Sequence, residues 1–422
     1  MSHLFSQESY PKYTSILGNL WLIGMPLFFV LSGFLMTYNY TAQFQSSWFL
    51  TAWKFYVARI ARIYPVYLLA LFLALSFVGG FFHELKERPV DVCRSMERVL
   101  TLTQSWSNAM VFQGHSQERP LALAYNGVGW SVSVEAFFYL LFPLIVLFVP
   151  WKMNRVWKVV VCAVGVFSLF VYLNHLCVKR LDPSMNIIAC GTLRGWLVYL
   201  SPYMRFGEFL LGCLAGQLYR LTAASTPGRW EQLVGHAVLW SSIICLVRFT
   251  IYPPDWSTPT LKNHLQFNNG YAPFCAAIIF CLARYPSLLR QFLAFPLLVL
   301  LGEASYGMYL TQPLLQGLFI PRLLGETDLQ HWQIIVYNNL AMVVCPHLFC
   351  LGLYQFAEVP MRRVLRNLLG PRDASKRNLP PRDQAPESKM ARVLRSWLSP
   401  RKPLTVTHST PASVQESKPF AA

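Results

Sequence analysis

Residues 127–150 read GVGWSVSVEAFFYLLFPLIVLFVP, and this stretch decides the fold class. Over residues 129–149 the only charged side chain is Glu135. A helix needs about 20 mainly apolar residues to cross the hydrocarbon core of a bilayer, so the stretch predicts a membrane-spanning helix. A charge at membrane depth costs at least a few kcal/mol. Glu135 therefore needs a partner or a function.

The rest of the chain has the same apolar character. Of its 422 residues, 54% are hydrophobic and only 13% are charged, whereas soluble domains carry about 25% charged residues. The mean hydropathy of +0.37 agrees, and this composition excludes an ordinary cytosolic enzyme and a disordered chain. We predict an all-α fold, a polytopic transmembrane helix bundle with nine visible spans. The predicted spans are 17–40, 64–82, 129–149, 158–175, 196–218, 233–251, 270–283, 303–320 and 332–356, with an interfacial or re-entrant piece at 292–301.

The distribution of charge predicts the orientation and the domain boundary. Lys and Arg number 36 against 19 Asp and Glu, and on an apolar chain this excess indicates cytoplasmic membrane faces rather than nucleic acid. We predict a membrane bundle over 1–369 and a basic, Pro- and Ser-rich cytoplasmic tail over 370–422. Residues 388–398 have the spacing of an amphipathic helix that lies on anionic lipid; a weakly ordered tail is the alternative.

Two arginines precede the predicted second span in KFYVARIARIYP. Arg59 and Arg62 are three residues apart, so on a helix they share one face. Guanidinium groups bind phosphate bidentately, and these two side chains are candidates for a site that holds a cytosolic polyanion. The alternative is that they anchor the end of a span on the positive side of the membrane.

Of the ionisable residues inside predicted spans, three are considered as site or pairing candidates. Glu135 could act as a general acid or base, or orient a His or Arg; a structural ion pair is the alternative. Arg205 and Glu208 are spaced i and i+3, so we expect them to pair with each other.

Motifs of soluble enzymes are absent from the sequence. It contains no GxSxG, no Walker loop, no HExxH and no dinucleotide-binding glycine motif, and its His and Cys residues lack metal-ligand spacing. We therefore expect no metal and no permanently bound cofactor. A helix bundle with internal charges fits a transporter as well as an enzyme.

Several strings, in order and spacing, resemble the signatures of one family, the acyltransferase-3 family of integral membrane O-acyltransferases. The resemblance runs from about residue 3 to residue 366, nearly all of the predicted membrane part. The strings are LFFVLSGFLMT (27–37), FYVARIARIYPVY (55–67), TLTQSW (101–106), GWSVSVEAFFYLLFPL (129–144), RFGEFLLGCLAG (205–216), LGEASYGMYLTQPLL (301–315) and YQFAEVPMRRVL (354–365).

The N-terminus departs from this family's pattern. Members have ten spans, and the first normally carries an Arg followed eleven positions later by the His held to be essential. His3 stands at the right distance before the LSGF string and looks like that His. The helix in front of it and the Arg are missing, so the resemblance implies a stand-alone form that lacks its first span.

The resemblance also implies a function. It predicts transfer of an acyl group, most simply acetyl, from acyl-CoA to a hydroxyl of a carbohydrate or lipid-linked sugar at the cell membrane. Arg59 and Arg62 would bind phosphates of the donor acyl-CoA, His3 would act as the catalytic base or acyl carrier, and Glu135 would orient these groups. The alternatives are a transporter or flippase, and an inactive truncated relative.

Overall fold

The structure is a computed structural model that describes residues 21–45, 48–77, 81–113, 117–182, 191–251 and 260–324, with the single positions Gly352, Pro360, Met361 and Val364. His3, the predicted span 332–356 as a whole, the boundary at 369/370 and the tail lie outside these residues. The described chain is mainly helical. Its helices are α1 Trp21–Tyr40, α2 Trp48–Phe77, α3 Phe81–Glu87, α4 Pro89–Leu100, α5 Trp130–Lys152, α6 Val156–Arg180, α7 Pro202–Thr222, α8 Arg229–Ile251, α9 Leu261–Phe267, α10 Ala272–Arg284, α11 Leu288–Leu293 and α12 Pro296–Leu324.

Five of the described helices are long and apolar enough to cross a membrane: α1, α2, α5, α6 and α8. The pair α9 and α10 is bent by 78° and makes a sixth if it counts as one broken span. Nine spans are therefore not confirmed. The helix α7 is not in this group; it carries the charged residues Arg205, Glu208 and Arg220, and charged groups lower hydropathy.

Two predicted boundaries were wrong. The second span was predicted over 64–82, but α2 begins at Trp48 and continues without a break to Phe77. The predicted interfacial piece 292–301 is divided instead, because α11 ends at Leu293 and α12 begins at Pro296. Proline is favoured in the first turn of a helix, where its missing N–H would have no partner.

A short β-hairpin departs from the predicted all-α fold. Between α4 and α5, β1 Met110–Gln113 pairs antiparallel with β2 Gln117–Pro120, with Met110 opposite Pro120 and Gln113 opposite Gln117. Both strands lie outside the candidate spans.

The centre of the bundle is a crossing of α1 and α7 in which the two backbones touch. A Cβ atom on Gly33 would lie 2.2 Å from the Phe209 carbonyl oxygen, and one on Gly212 would lie 2.0 Å from the Val30 carbonyl oxygen. Small residues let membrane helices approach this closely. Beside the crossing, the ring centroids of Phe138 on α5 and Phe209 are 4.8 Å apart in a stack, which brings α5 to the same place.

Candidate functional site

Glu135 lies in the second turn of α5 and is buried, with 5% of its surface exposed. Ser32 on α1 donates a hydrogen bond to its Oε1 atom at 3.1 Å, and the Tyr139 hydroxyl donates to the same oxygen. Tyr139 is one helical turn after Glu135, so this bond is local. The bond from Ser32 joins α1 to α5 next to the crossing, since the adjacent Gly33 is the residue that contacts α7.

Arg59 lies in the interior of α2, about 17 Å along the helix from its first residue at 1.5 Å per residue. Its Nη2 atom donates to the Tyr40 hydroxyl at 2.7 Å. The guanidinium carbon is 5.0 Å from the ring centroid of Tyr40 and 5.7 Å from those of Phe55 and Tyr139. Cations bind favourably over aromatic faces at such distances. The side chain is therefore held in an aromatic cage.

Tyr139 connects the arginine to the carboxylate. Its ring lies against Arg59 and its hydroxyl donates to Glu135. Arg59 and Arg62 are both close enough to Glu135 to interact with the carboxylate electrostatically. Of the four predicted site residues, the structure thus brings together Arg59, Arg62 and Glu135. It adds Ser32, Tyr40 and Tyr139, whose roles sequence reasoning missed.

The two arginines differ in exposure although they share a helix face. Arg59 is half-buried, with its Nε atom enclosed and without a hydrogen-bond partner, whereas Arg62 is exposed. The helix α2 is 30 residues long and begins eleven residues before Arg59, whereas a span needs about 20 residues, so the alternative that the two arginines anchor the end of a span stays a prediction. Neither guanidinium is within 4.0 Å of a carboxylate among the residues that the structure describes.

The predicted pair of Arg205 and Glu208 is confirmed. The Nη1 atom of Arg205 is 2.8 Å from Oε1 of Glu208, and both side chains are fully buried. The Nε atom of Arg205 donates to the Tyr199 carbonyl at 3.0 Å, and its guanidinium lies over the rings of Tyr199 and Trp130. Since Trp130 is the first residue of α5, the ion pair lies near the end of α5 that carries Glu135.

The segment 101–106 packs on this end of α5. Gln104 Nε2 donates to the Gly129 carbonyl at 3.2 Å, Ser105 Oγ to the Trp130 carbonyl at 3.1 Å, and Trp106 Nε1 to the Ser133 carbonyl at 3.1 Å. Two of the strings with a family resemblance, TLTQSW and GWSVSV, are therefore in direct contact. The segment orients the first turns of α5 and, through them, Glu135.

A family profile described as an acyltransferase domain, that of the acyltransferase-3 family, matches residues 2–350 of the sequence. The chain belongs to the acyltransferase-3 family. Similar curated proteins include the peptidoglycan O-acetyltransferase OatA of Listeria monocytogenes, which is 26% identical over 347 residues, or 81% of this chain and 51% of the relative. The O-acetyltransferase OatA of Staphylococcus aureus is 23% identical over 345 residues, 81% of this chain and 52% of that protein.

This acyltransferase-3 chain spans about half the length of the curated relatives that it matches. No solved structure matches it. The match to the family model covers the strings around Glu135 and Arg59 as well as the Arg205–Glu208 pair.

A second buried cation in this family member was not expected from its sequence. Arg194, which lies outside the predicted spans, is fully buried, as is His264. The Nη1 atom of Arg194 is 3.1 Å from His264 Nε2, and its Nη2 atom donates to the carbonyls of Leu181 and Asp182 at 2.6 and 3.0 Å. Burial lowers the pKa of the Arg194 guanidinium. The contacts tie the end of α6 to α9 and give this residue a structural role.

Metal ligands are not grouped in the part of the chain that the structure describes: no three His, Cys, Asp or Glu side chains there are placed to hold an ion. The expectation that the protein has no resident cofactor stays a prediction. The predicted catalytic His3 lies outside the described residues.

Proposed function

We propose that this chain is a membrane O-acyltransferase that moves an acyl group, most simply acetyl, from acyl-CoA to a hydroxyl group of a cell-surface carbohydrate. The observation that carries the proposal is the connected set Arg59, Tyr139, Glu135 and Ser32 in the interior of the bundle. The relatives named as peptidoglycan O-acetyltransferases favour peptidoglycan, or a lipid-linked sugar, as the acceptor.

The donor is proposed to bind at the arginines. A CoA thioester carries several phosphate charges, and guanidinium groups are well suited to them because they offer paired N–H donors. Arg62 is exposed, and Arg59 holds an enclosed Nε atom without a partner while the aromatic cage keeps it in place. The two side chains therefore offer one fixed and one accessible cation on the same helix.

Acyl transfer needs a base that takes the proton of the acceptor hydroxyl, and a leaving group, which is the thiolate of CoA. The acceptor oxygen attacks the thioester carbonyl carbon, a C–O bond forms, the C–S bond breaks, and the acceptor proton passes to a base while CoA leaves as a thiolate that takes up a proton. By the family resemblance the base is His3. Glu135, fixed by Ser32 and Tyr139, is proposed to orient that His and to balance its charge.

The substitution Glu135→Gln tests the role of the carboxylate. It keeps the shape and the bond from Ser32 but removes the charge, and we expect acetyl transfer to fall by about 10²–10⁴-fold, the usual share of a group in acid–base chemistry. The measurement is transfer of labelled acetyl from acetyl-CoA in membranes, with the yield of folded protein as a reference. Glu97→Gln, an exposed carboxylate on α4, is the matched control. Transfer near the normal rate would mean that Glu135 is structural.

Binding of acetyl-CoA separates this proposal from a transporter. Purified protein should bind labelled acetyl-CoA, and the double change Arg59→Ala, Arg62→Ala should abolish binding. A control pair, Arg94→Ala with Arg119→Ala, removes two exposed arginines outside the site and should bind normally. Absence of binding by the unaltered protein would favour a transport path lined by the internal charges.

The proposed orientation places the C-terminus in the cytoplasm, where acyl-CoA is made, because Lys and Arg accumulate beyond residue 360. A reporter enzyme fused after Ala422 should be active only if it is cytoplasmic. An external reading would reverse the proposed face of donor binding.

A further inference from the structure

A large apolar pocket is lined by helices other than α5, which carries Glu135. It has a volume of about 660 Å³, and its walls are formed by α6, α7, α8 and α10. This volume is in the range of sites that hold whole small molecules, roughly 300–1,000 Å³. The side chains that line it are apolar apart from the Cys281 thiol and the Tyr285 hydroxyl. None of the proposed site residues Ser32, Arg59 and Glu135 contributes to it.

The lining selects the chemistry of the ligand. Val159, Leu211 and Leu214 form a buried floor, whereas Val164 and Val234 at the edge are 60% and 62% exposed. Since α6 and α8 are candidate membrane spans, the pocket opens sideways toward lipid. A site without charged partners cannot hold a nucleotide or a sugar, because buried polar groups need hydrogen bonds. A hydrocarbon chain fits it.

One end of the pocket is surrounded by basic residues. Gln217 Nε2 donates to the Met153 carbonyl at 3.0 Å, which joins the end of α7 to the start of α6. Arg284 Nη2 lies 3.1 Å from Glu231 Oε1, which joins the end of α10 to the start of α8. Four helix ends therefore meet here. They carry the basic residues Arg155, Lys158, Arg220, Arg229 and Arg284, with Arg290 on α11.

The charge of this basic rim is not balanced. Glu231 is the one acidic residue in 153–160, 217–236 and 280–290, and it is engaged by Arg284. Arg155, Arg229 and Arg290 are exposed. Basic residues beside a membrane span attract anionic lipid headgroups, and Lys and Arg bind phosphate oxygens with charge-assisted hydrogen bonds.

A glycine leaves room for the ring that forms the wall of the pocket near the rim. A Cβ atom on Gly235 would lie 2.3 Å from the Tyr285 ring, so the ring packs directly on the backbone of α8 and lines the wall. The Tyr285 hydroxyl reaches Glu231 at 3.4 Å. The aromatic wall of the pocket therefore contacts the ionic rim directly, so the apolar lining and the charged groups are adjacent.

We propose that this pocket binds one hydrocarbon chain of an anionic phospholipid of the bilayer, with the phosphate of its headgroup held at the basic rim. The apolar volume accounts for the chain, and the excess of cations accounts for the headgroup. The proposal is independent of the acyl-transfer reaction.

The test is lipid retention by the full-length protein in nanodiscs that mix phosphatidylglycerol with phosphatidylcholine, read by mass spectrometry after mild release. The unaltered protein should retain phosphatidylglycerol selectively. Ala277→Phe fills the pocket and should lower retention at least about tenfold, the effect of displacing two buried methylene groups. Val161→Phe, on the exposed face of α6 outside the pocket, is the matched control and should retain lipid normally.

A second variant tests the headgroup without touching the packed interior. Replacing the exposed Arg155, Arg229 and Arg290 by Gln should lower the preference for phosphatidylglycerol by about a hundredfold, because each basic residue near a membrane surface contributes a factor of about five. Equal retention of both lipids by the unaltered protein, or equal retention by Ala277→Phe and Val161→Phe, would overturn the proposal. So would a different lipid class, or a segment of the chain itself, found cross-linked in the pocket.

Discussion

The helix α7 takes part in two regions that are packed in opposite ways. On one side its Gly212 touches the backbone of α1, and a Cβ atom there would lie 2.0 Å from a carbonyl oxygen. On the other side its Leu211, Leu214 and Leu218 line a pocket of about 660 Å³. The two faces of this one helix carry different residues. Glycines face the tight crossing, and leucines face the open pocket.

The polar groups follow the tight packing. Glu135 with Ser32, and Arg205 with Glu208, lie beside the crossing, where their partners are held at fixed distances. A buried charge is tolerated only if its partners stay in place, so a loosely packed region is a poor location for one. The buried polar groups of this bundle are therefore found where the glycine crossing holds the helices close together.

The largest expected effect comes from filling the crossing. Gly212→Val should destabilise the protein by about 5 kcal/mol or more, since the added side chain would meet the backbone of Val30 and the two helices would have to separate. Gly165→Val on α6, where nothing lies within 4 Å of the added Cβ, has the same cost in helix propensity and serves as the control. The measurement is the yield and thermal midpoint of monodisperse protein. Equal losses in both variants would show that the crossing is not tightly packed.

An intermediate effect is expected from breaking the buried ion pair. Glu208→Gln leaves Arg205 buried without a counter-charge and should cost about 3–5 kcal/mol, and a double replacement by Met and Leu should recover much of that loss. Glu231→Gln breaks the pair with Arg284 beside the pocket, where Glu231 is 41% exposed. Arg284 itself is buried but keeps its hydrogen bonds to Ser225, and water reaches the carboxylate, so we expect a loss of about 1 kcal/mol, close to that of an exposed pair. A similar loss in both variants would contradict the distinction between the two regions.

The smallest effect is expected in the pocket. Ala276→Leu adds methyl groups to a side chain that already faces open space, and we expect a change of less than about 1.5 kcal/mol in either direction. Thermal unfolding in detergent without added lipid measures it. A loss as large as that of Gly212→Val would mean that the pocket is closed by packing in solution.

The sequence predicted what depends on local spacing. Apolar length placed α1, α5, α6 and α8, and the i, i+3 spacing placed Arg205 beside Glu208. The start of α2 was missed because Lys54 and the polar residues before Trp48 look like a loop boundary.

The partners of the candidate site could not be predicted. Ser32 reaches Glu135 across 103 residues of sequence, and Arg194 reaches His264 across 70. Such contacts depend on how helices cross, and a pattern within one helix does not encode that. Tyr139, one turn after Glu135, was the exception: its i+4 spacing was visible in the sequence but looked like part of an apolar run.

The direct contact of Gly33 with α7 also has a mechanical consequence. Packed helices usually slide past one another by small adjustments of the side chains between them, but at Gly33 and Gly212 the two backbones touch with no side chain between them. The helices α1 and α7 therefore resist sliding past each other and move as one rigid unit. Ser32 is next to Gly33 in this unit, so its backbone is held in place relative to α7 while its hydroxyl donates to Glu135.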